Sequence, residues 1–360
     1  MIEEVARIDG LEKLPATLPK RRGAAGRLSL EQRLRRRAVD ALAGRGLHEI
    51  VGWSFTDHGV ADRLRLEPGD HRRRFVLLEN PMSEQHSVLR TMLLGSLLDA
   101  ARLNASHGQS DLGLFEQGAV YEWGEDSATA ARQNGGDPRR GGQDHRLPHE
   151  HRSFGALVVG RLQPPSWGTA EPPRAGFFAI KGYLGAVADA LRIDWTAEPA
   201  TEPFLHPGRS ARILAGPDRE PVGWIGELHP LVAREYDLGD AAAAFEVDLD
   251  RLVTFADAVP TYVDLTSFPA LRQDIAVAVG DEVPAAKVVQ VVRKAGGKLL
   301  ADARVFDVYR GAQVGEGRTS LALALQFRAP DRTLSDEDVA PLRDRIVAAL
   351  RDEVGGELRA

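Results

Sequence analysis

The chain has 360 residues, 43% hydrophobic and 27% charged, enough to bury cores for two or more domains. Its formal net charge of -6 argues against a protein that coats nucleic acid indiscriminately, while leaving room for local contact with a folded RNA. Zero cysteines exclude disulfides, thiolate zinc sites and cysteine nucleophiles; no apolar run is long enough for a bilayer and no signal peptide follows Met1, so the expected setting is cytoplasmic, with no membrane partner.

Residues 2–15, IEEVARIDGLEKLP, put Ile2, Val5, Ala6 and Ile8 on one helical face that breaks at Gly10. No cap precedes this helix, so the chain reads as beginning part-way through a module. Lys20 to Arg27 is a basic linker. Ser29 then caps a helix with Gln32 at the third position, and Leu30, Leu34, Ala38, Ala41 and Leu42 form its apolar stripe. Arg33, Arg35, Arg36 and Arg37 lie mostly off that stripe; they suit contact with nucleic-acid phosphates, although a solvated helix face is the commoner role of such a run. His48 to Thr56 reads as a strand.

The block Leu77 to Tyr121 contains an Asn80-Pro81 turn and a helix from Arg90 to Leu103. Met92, Leu93, Leu94, Leu97, Leu98 and Leu103 do not fit one stripe, so this helix is expected to be buried or to lie at a subunit interface. Leu112 to Tyr121 follows as a strand. Residues 124–146 are rich in Gly, Asp, Arg, Gln and Asn without period, which reads as an exposed insertion. His145, His149, Glu150 and His151 at its end could be drawn as a metal cluster but lack a rigid scaffold. Phe154 to Val159 is a strand, Phe177 to Leu191 a helix, and two His-Pro turns follow, at His206 and His229. With Glu227 they allow either a metal or acid–base site or plain turn structure, and the second is favoured. Phe245 to Leu249 is the last strand of this region, and Val259 to Ser267 links onward.

The terminal stretch has the clearest pattern. Ile275, Val277 and Val279 alternate with Asp274, Ala276 and Ala278, and Leu321, Leu323, Leu325 and Phe327 alternate with Ala322, Ala324, Gln326 and Arg328, the period of two of half-buried strands. Between them Val288, Val291 and Val292 recur at helical spacing over Pro284 to Lys294, and Leu299 to Tyr309 is a further strand closed by Gly311. Ser335 opens a helix with Asp338 three residues on, a capping box. With Glu357–Leu358 as a short closing strand, the order is the βαββαβ plan of a ferredoxin-like domain.

FPALRQD at Phe268, FDVYRG at Phe306 and RTLSDEDV at Arg332, in that order, resemble the ferredoxin-fold anticodon-binding domain of the bacterial phenylalanine–tRNA ligase beta-subunit family. The resemblance extends upstream: Asn80-Pro81, Leu89-Arg90, the Phe115-Glu116 pair, Phe178, Lys181 and Gly182, and both His-Pro turns match the family's core. It implies an α+β chain in which a degenerate class II aminoacyl-tRNA synthetase core, an antiparallel sheet flanked by helices, precedes the ferredoxin-like domain. The implied divisions are 1–19, the end of a B-five module; 20–250, the core; 251–266, a linker; and 267–360, the anticodon-binding domain.

Function follows from the resemblance in the same way. Class II catalysis places arginines on ATP phosphates to neutralise charge during adenylate formation, and the Gly-rich piece Gly223 to Leu228 has no such arginine, so no catalytic residue is expected here. The family's alpha subunit uses ATP; the beta subunit scaffolds an α2β2 tetramer and binds phenylalanine tRNA, and the family's editing domain has no counterpart in this sequence. Glu3 and Glu4 align with two glutamates that share a Mg2+ site with two upstream aspartates, which also lack counterparts. Oxygen-only ligation suits Mg2+, but neighbouring helical carboxylates point apart. For RNA, the residues singled out are Arg272, Tyr309, Arg310, Arg328 and Arg332, around a sheet face of Ala276, Ala278, Ala322 and Ala324 on which unpaired bases can stack. A free-standing RNA- or protein-binding module reusing the synthetase fold is the alternative.

Overall fold

The computed structural model describes residues 1–15, 17, 26–123, 148–239, 241–257, 259–262, 268–311 and 313–359; the insertion at 124–146, His145 included, and most of the basic linker lie outside them. The chain divides into two compact units, Met1–Pro260 and Thr261–Ala360.

In the first unit the elements run α1 (Ile2–Asp9), α2 (Leu30–Ala43), β1 (His48–Glu49), β2 (Phe55–Thr56), α3 (Val60–Arg63), β3 (Val76–Leu77), β4 (Val88–Leu89), α4 (Leu94–Ser106), β5 (Leu112–Glu122) and β6 (His149–Val159). They continue through α5 (Phe177–Leu191), β7 (Trp195–Pro199), β8 (Leu205–Ala215), β9 (Glu220–Leu228), α6 (Pro230–Glu235), β10 (Ala242–Asp248) and α7 (Leu249–Thr254). A seven-stranded sheet has the order β1-β5-β6-β10-β9-β8-β7, and β2-β4-β3 form a small second sheet. Only β1 with β5 is parallel among these pairs.

The segments Phe154–Val159 of β6 and Ala242–Phe245 of β10 are apolar throughout because both faces of the large sheet are covered there. On β6, Phe154, Ala156 and Val158 meet Leu34, Ala38 and Leu42 of α2 and the apolar sides of α5 and α7. Leu157 and Val159 point the other way, into a layer made by α3, α4 and α6. The α2 capping box forms as read from sequence, Ser29 Oγ accepting from Gln32 N and Gln32 accepting from Ser29 N; Leu30 of the expected stripe, however, is 46% exposed.

Three expected boundaries move, each for a tertiary reason. His48 to Thr56 is two strands in different sheets, because the chain turns where Gly52 N donates to Glu116 Oε1 (3.0 Å). The helix expected from Arg90 starts at Leu94, since Arg90 and Thr91 are held by bonds to Ala119 O and Arg72 O. Leu249 opens α7 instead of closing a strand, with Asp248 accepting from Arg251 N, so the stretch expected as linker begins with helix; Leu252 and Val253 are buried.

The second face of the sheet also carries buried charge. Glu116 of β5 and Glu246 of β10 both lie opposite Gly155 of β6, and both are almost wholly buried. Arg90 Nη1 reaches Glu116 Oε1 at 2.7 Å and Ser96 Oγ at 3.2 Å. Gly118 is required there, because a Cβ would stand 2.0 Å from Arg90 Nη2. Glu246 accepts from Leu93 N (2.9 Å) and Leu94 N (3.2 Å), so it caps α4 from another strand. Burial pushes its carboxyl up to about 7, against the lowering pull of those N–H groups, Ser153 and Arg90.

The second unit contains β11 (Leu271–Gly280), α8 (Ala285–Gly296), β12 (Leu300–Tyr309), β13 (Arg318–Phe327), α9 (Asp336–Val354) and β14 (Glu357–Arg359). The antiparallel sheet order is β12-β13-β11-β14, the ferredoxin-like arrangement. Ile275, Val277, Val279, Leu321, Leu323, Leu325 and Phe327 meet Val288, Val291 and Val292 of α8 and Val339, Ile346 and Leu350 of α9. The Ser335–Asp338 capping box opens α9, and Gly355 closes it in the left-handed region at φ 61°.

Two measurements check the buried charges. Arg90→Met strands the Glu116 carboxylate and is expected to cost about 3–5 kcal/mol in denaturant unfolding, with Arg90→Met/Glu116→Leu regaining part of the loss. For Glu246 the folded value lies above the ordinary 4.5, so its contribution is present below pH 4.5 and is lost as pH rises towards about 7. Unfolding curves for Glu246→Gln and the unaltered chain should therefore shift by about 3 kcal/mol in the variant's favour across that window.

Candidate nucleic-acid interface

The helices of the second unit cover one side of its sheet, and the alternation of β11 and β13 turns the small residues to the other. Cross-strand register places Arg272 opposite Gln326, Asp274 opposite Ala324, Ala276 opposite Ala322 and Ala278 opposite Ser320 on that outer side. β12 adds Asp302, Arg304 and Tyr309, opposite Gln326, Ala324 and Ser320. β14 adds Glu357 opposite Ala278 and Arg359 opposite Ala276.

This face differs from the uniformly open one expected. Ala276, Ala322 and Ala324 are half-buried, but Ala278 is 5% and Ser320 4% exposed. Polar side chains roof that end: Arg318 donates to Ala278 O (3.1 Å) and pairs with Glu357 (2.9 Å), while the Arg359 guanidinium lies 5.6 Å from the Tyr309 ring centroid.

The residues singled out from sequence fall into two groups. Arg272, exposed, and Arg328, just past the end of β13, mark one end of the sheet, and Arg332 follows in the approach to α9. Tyr309 and Arg310 mark the other end, six residues away along β13 (Ser320 to Gln326), or about 20 Å at 3.3 Å per residue. Their charges differ too. Arg310 is engaged by Thr319 Oγ1 (3.0 Å) and Asp281 (3.9 Å), and Arg332 by Asp331 (3.6 Å) and Asp338 (3.7 Å). Asp338 is held below the usual carboxylate range by hydrogen bonds from Ser335, so it stays anionic beside Arg332. Arg272, Arg304, Arg328 and Arg359 have no carboxylate partner among the described residues, and Arg328 Nε is buried without a hydrogen bond.

Two family models match the chain. Residues 14–249 match the "Phenylalanyl tRNA synthetase beta chain CLM domain", and residues 266–359 the "Ferredoxin-fold anticodon binding domain". The chain belongs to the phenylalanine–tRNA ligase beta-subunit family. Relatives named as phenylalanine–tRNA ligase beta subunits match over 100% of this chain: 39% identical in Thermobifida fusca, 38% in Symbiobacterium thermophilum and 34% in Geobacter sulfurreducens. The chain spans 44%, 38% and 42% of those relatives. A solved pyrrolysyl tRNA synthetase from Desulfitobacterium hafniense is similar at a TM-score of 0.42 and 13% identity, over 70% of this chain and 73% of that one.

The family's other expected sites look different in this chain. Glu3 and Glu4 sit in the first turn of α1, both exposed, and Glu4 is already paired with Arg7 at 2.7 Å. Two carboxylates about 100° apart on a helix, one of them engaged, do not fit a Mg2+ site by themselves. No cluster of three or more His, Cys, Asp or Glu suited to a metal occurs among the described residues.

Both His-Pro turns serve structure. His206 Nδ1 accepts from Gly208 N and His229 Nδ1 from Leu231 N, each at 3.1 Å, so a neutral ring carries its proton on Nε2 and has no free lone pair. His229 caps α6, with Pro230 in the first turn. Burial, followed by Arg65 and His206, lowers its pKa and favours that neutral form. Glu227 is occupied by Phe177 N (3.1 Å) and Arg209 (2.6 Å). Within the α2 arginine run, Arg35 ties the helix to Asp250 (2.6 Å), while Arg33, Arg36 and Arg37 are exposed. No described helix is long and apolar enough to cross a membrane.

Proposed function

We propose that the chain is the scaffolding and tRNA-binding portion of a cytoplasmic phenylalanine–tRNA ligase beta subunit. In this reading it holds the alpha subunit within an α2β2 tetramer, and its terminal domain contacts phenylalanine tRNA. The alpha subunit carries out adenylate formation with ATP and Mg2+, and the class II-like core of this chain supplies shape without catalytic residues.

The observation that carries the reading is the outer sheet face of the terminal domain. Unpaired Arg272 and Arg328 stand at one end and the partly exposed aromatic Tyr309 at the other, over small side chains, in a domain matched to an anticodon-binding family. Phosphates find guanidinium groups that no protein carboxylate neutralises, and an unpaired base finds a ring on which to stack. The α2 arginines Arg33, Arg36 and Arg37 form a separate exposed basic stripe and carry less of the argument, because a solvated helix surface explains them equally.

The test is equilibrium binding of phenylalanine tRNA to the whole beta subunit with its alpha subunit, across a range of salt. Arg272→Ala/Arg328→Ala is expected to reduce the slope of log affinity against log salt by about one for each phosphate no longer neutralised. Tyr309→Ala is expected to weaken binding by about 1–3 kcal/mol with little change in slope. Unchanged affinity and slope in both variants would overturn the RNA assignment, and failure to co-purify with an alpha subunit would favour a free-standing binding module.

A further inference from the structure

His149 and His151 bracket Glu150 at the start of β6, in the first unit. Sequence alone shows no rigid scaffold for these histidines, but the fold provides one, since both belong to a strand paired along its whole length with β5. Residues two apart on a strand share a face. The two imidazoles accordingly lie side by side, with ring centroids 5.3 Å apart and planes 32° from parallel. The antiparallel register sets His149 opposite Glu122 and His151 opposite Val120, so Glu122 stands on the same face. Glu150 is opposite Tyr121 and faces the other way.

Three features of this face suit a metal ion. The first is ring spacing: with a metal–nitrogen bond of about 2.1 Å and about 1.1 Å from nitrogen to ring centre, two imidazoles on one tetrahedral ion have centroids about 5 Å apart. The pair already has the spacing of a chelate. The second is His151 Nδ1, which is buried and has no hydrogen-bond partner in the protein. A buried polar atom in this state calls for a partner from outside the chain. The third is Glu122, whose carboxylate also lies 3.8 Å from His71 Nε2. A carboxylate beside a ligating imidazole accepts its second N–H, fixes the tautomer and raises the basicity of the ring. Access is open, because His149 is exposed and His151 half-buried. The described residues bring no group of three metal-ligating side chains together, so the remaining positions on the ion belong to water.

We propose that His149 and His151 form a two-histidine site for a borderline divalent transition ion, with Glu122 orienting the rings. Imidazole nitrogen suits Zn2+, Ni2+ and Cu2+, with Cu2+ bound most tightly, whereas Mg2+ and Ca2+ take oxygen ligands. The site is therefore chemically separate from any carboxylate-bound Mg2+, and it does not depend on the tRNA-binding role of the terminal domain. The two rings hold this spacing only when β6 is formed. Binding therefore stabilises the folded chain by mass action.

Calorimetric titration of the whole beta subunit with its alpha subunit, using Zn2+, Ni2+ or Cu2+ alone in excess Mg2+, reads the site. Each beta chain is expected to bind one equivalent that Mg2+ does not displace and that His149→Gln and His151→Gln each remove. Glu150→Gln, on the opposite face, should keep it. Glu122→Gln is expected to weaken binding about 10- to 100-fold. Zn2+ should raise the unfolding temperature of the unaltered chain and leave that of His149→Gln unmoved, while unfolding without metal shows that each variant is folded. With Cu2+, nitrogen couplings from two imidazoles in the electron paramagnetic resonance spectrum should disappear in either histidine variant. Equal stoichiometry and affinity in the unaltered chain and the histidine variants overturns the proposal. Binding reached only at millimolar ion also overturns it, as the mark of an adventitious ion only. An unaltered affinity in Glu122→Gln overturns the orienting role and leaves the two-histidine site standing.

Discussion

Helix α4 has no side-chain cap from its own sequence; its first N–H groups are satisfied by Glu246, a carboxylate on a strand 152 residues away in the chain. The packing of α4 on that face of the large sheet starts from this contact. It fixes where α4 starts, and α4 in turn supplies Leu97, Leu98 and Ala101 to the second layer. Glu246 and Glu116 meet β6 at the same residue, Gly155, whose Cβ would lie only 3.3 Å from Leu97. A glycine flanked by two acids lets the helix sit low over the sheet. The Arg90 guanidinium then provides the positive charge that makes one of those acids tolerable.

The same contact has a chemical consequence for a synthetase-like core. Helix N-termini are natural sites for phosphate and carboxylate groups of ligands. Here the positive end of α4 is committed to the protein's own carboxylate, and the Leu, Phe, Trp and Tyr side chains of the second layer fill the sheet face around it. A cavity lined by Arg90, Thr91, Met92 and Ser96 has a volume of about 10 Å³, room for a single water. The buried charges of this unit therefore act on its own architecture.

Strand alternation and caps made much of the architecture legible before any coordinates. The βαββαβ order, both capping boxes and the helix Phe177–Leu191 follow from patterns that involve only neighbouring residues. The boundaries that moved were set by partners distant in sequence: Glu116 turns the chain at Gly52, and Glu246 sets the start of α4. The site was legible in kind more than in detail. Spacing alone could suggest arginines near the sheet but not that Arg310 and Arg332 are paired with Asp281 and Asp338. Arg359 carried a usable signal, since a closing strand antiparallel to β11 puts Glu357 and Arg359 on the alanine side. Its contact with Tyr309 depends on two edges of the sheet meeting across the floor, which no local pattern encodes.

Charge in the terminal domain acts locally. The terminal domain has nearly balanced acidic and basic residues, so its overall field offers little attraction to a polyanion. Binding at close range depends instead on which cations are already neutralised. Ion pairs remove Arg310, Arg318 and Arg332 from that set, leaving Arg272, Arg304, Arg328 and Arg359 spread along the outer face. In such a domain the cations free for close-range contact are set by the pattern of ion pairs and not by the overall charge.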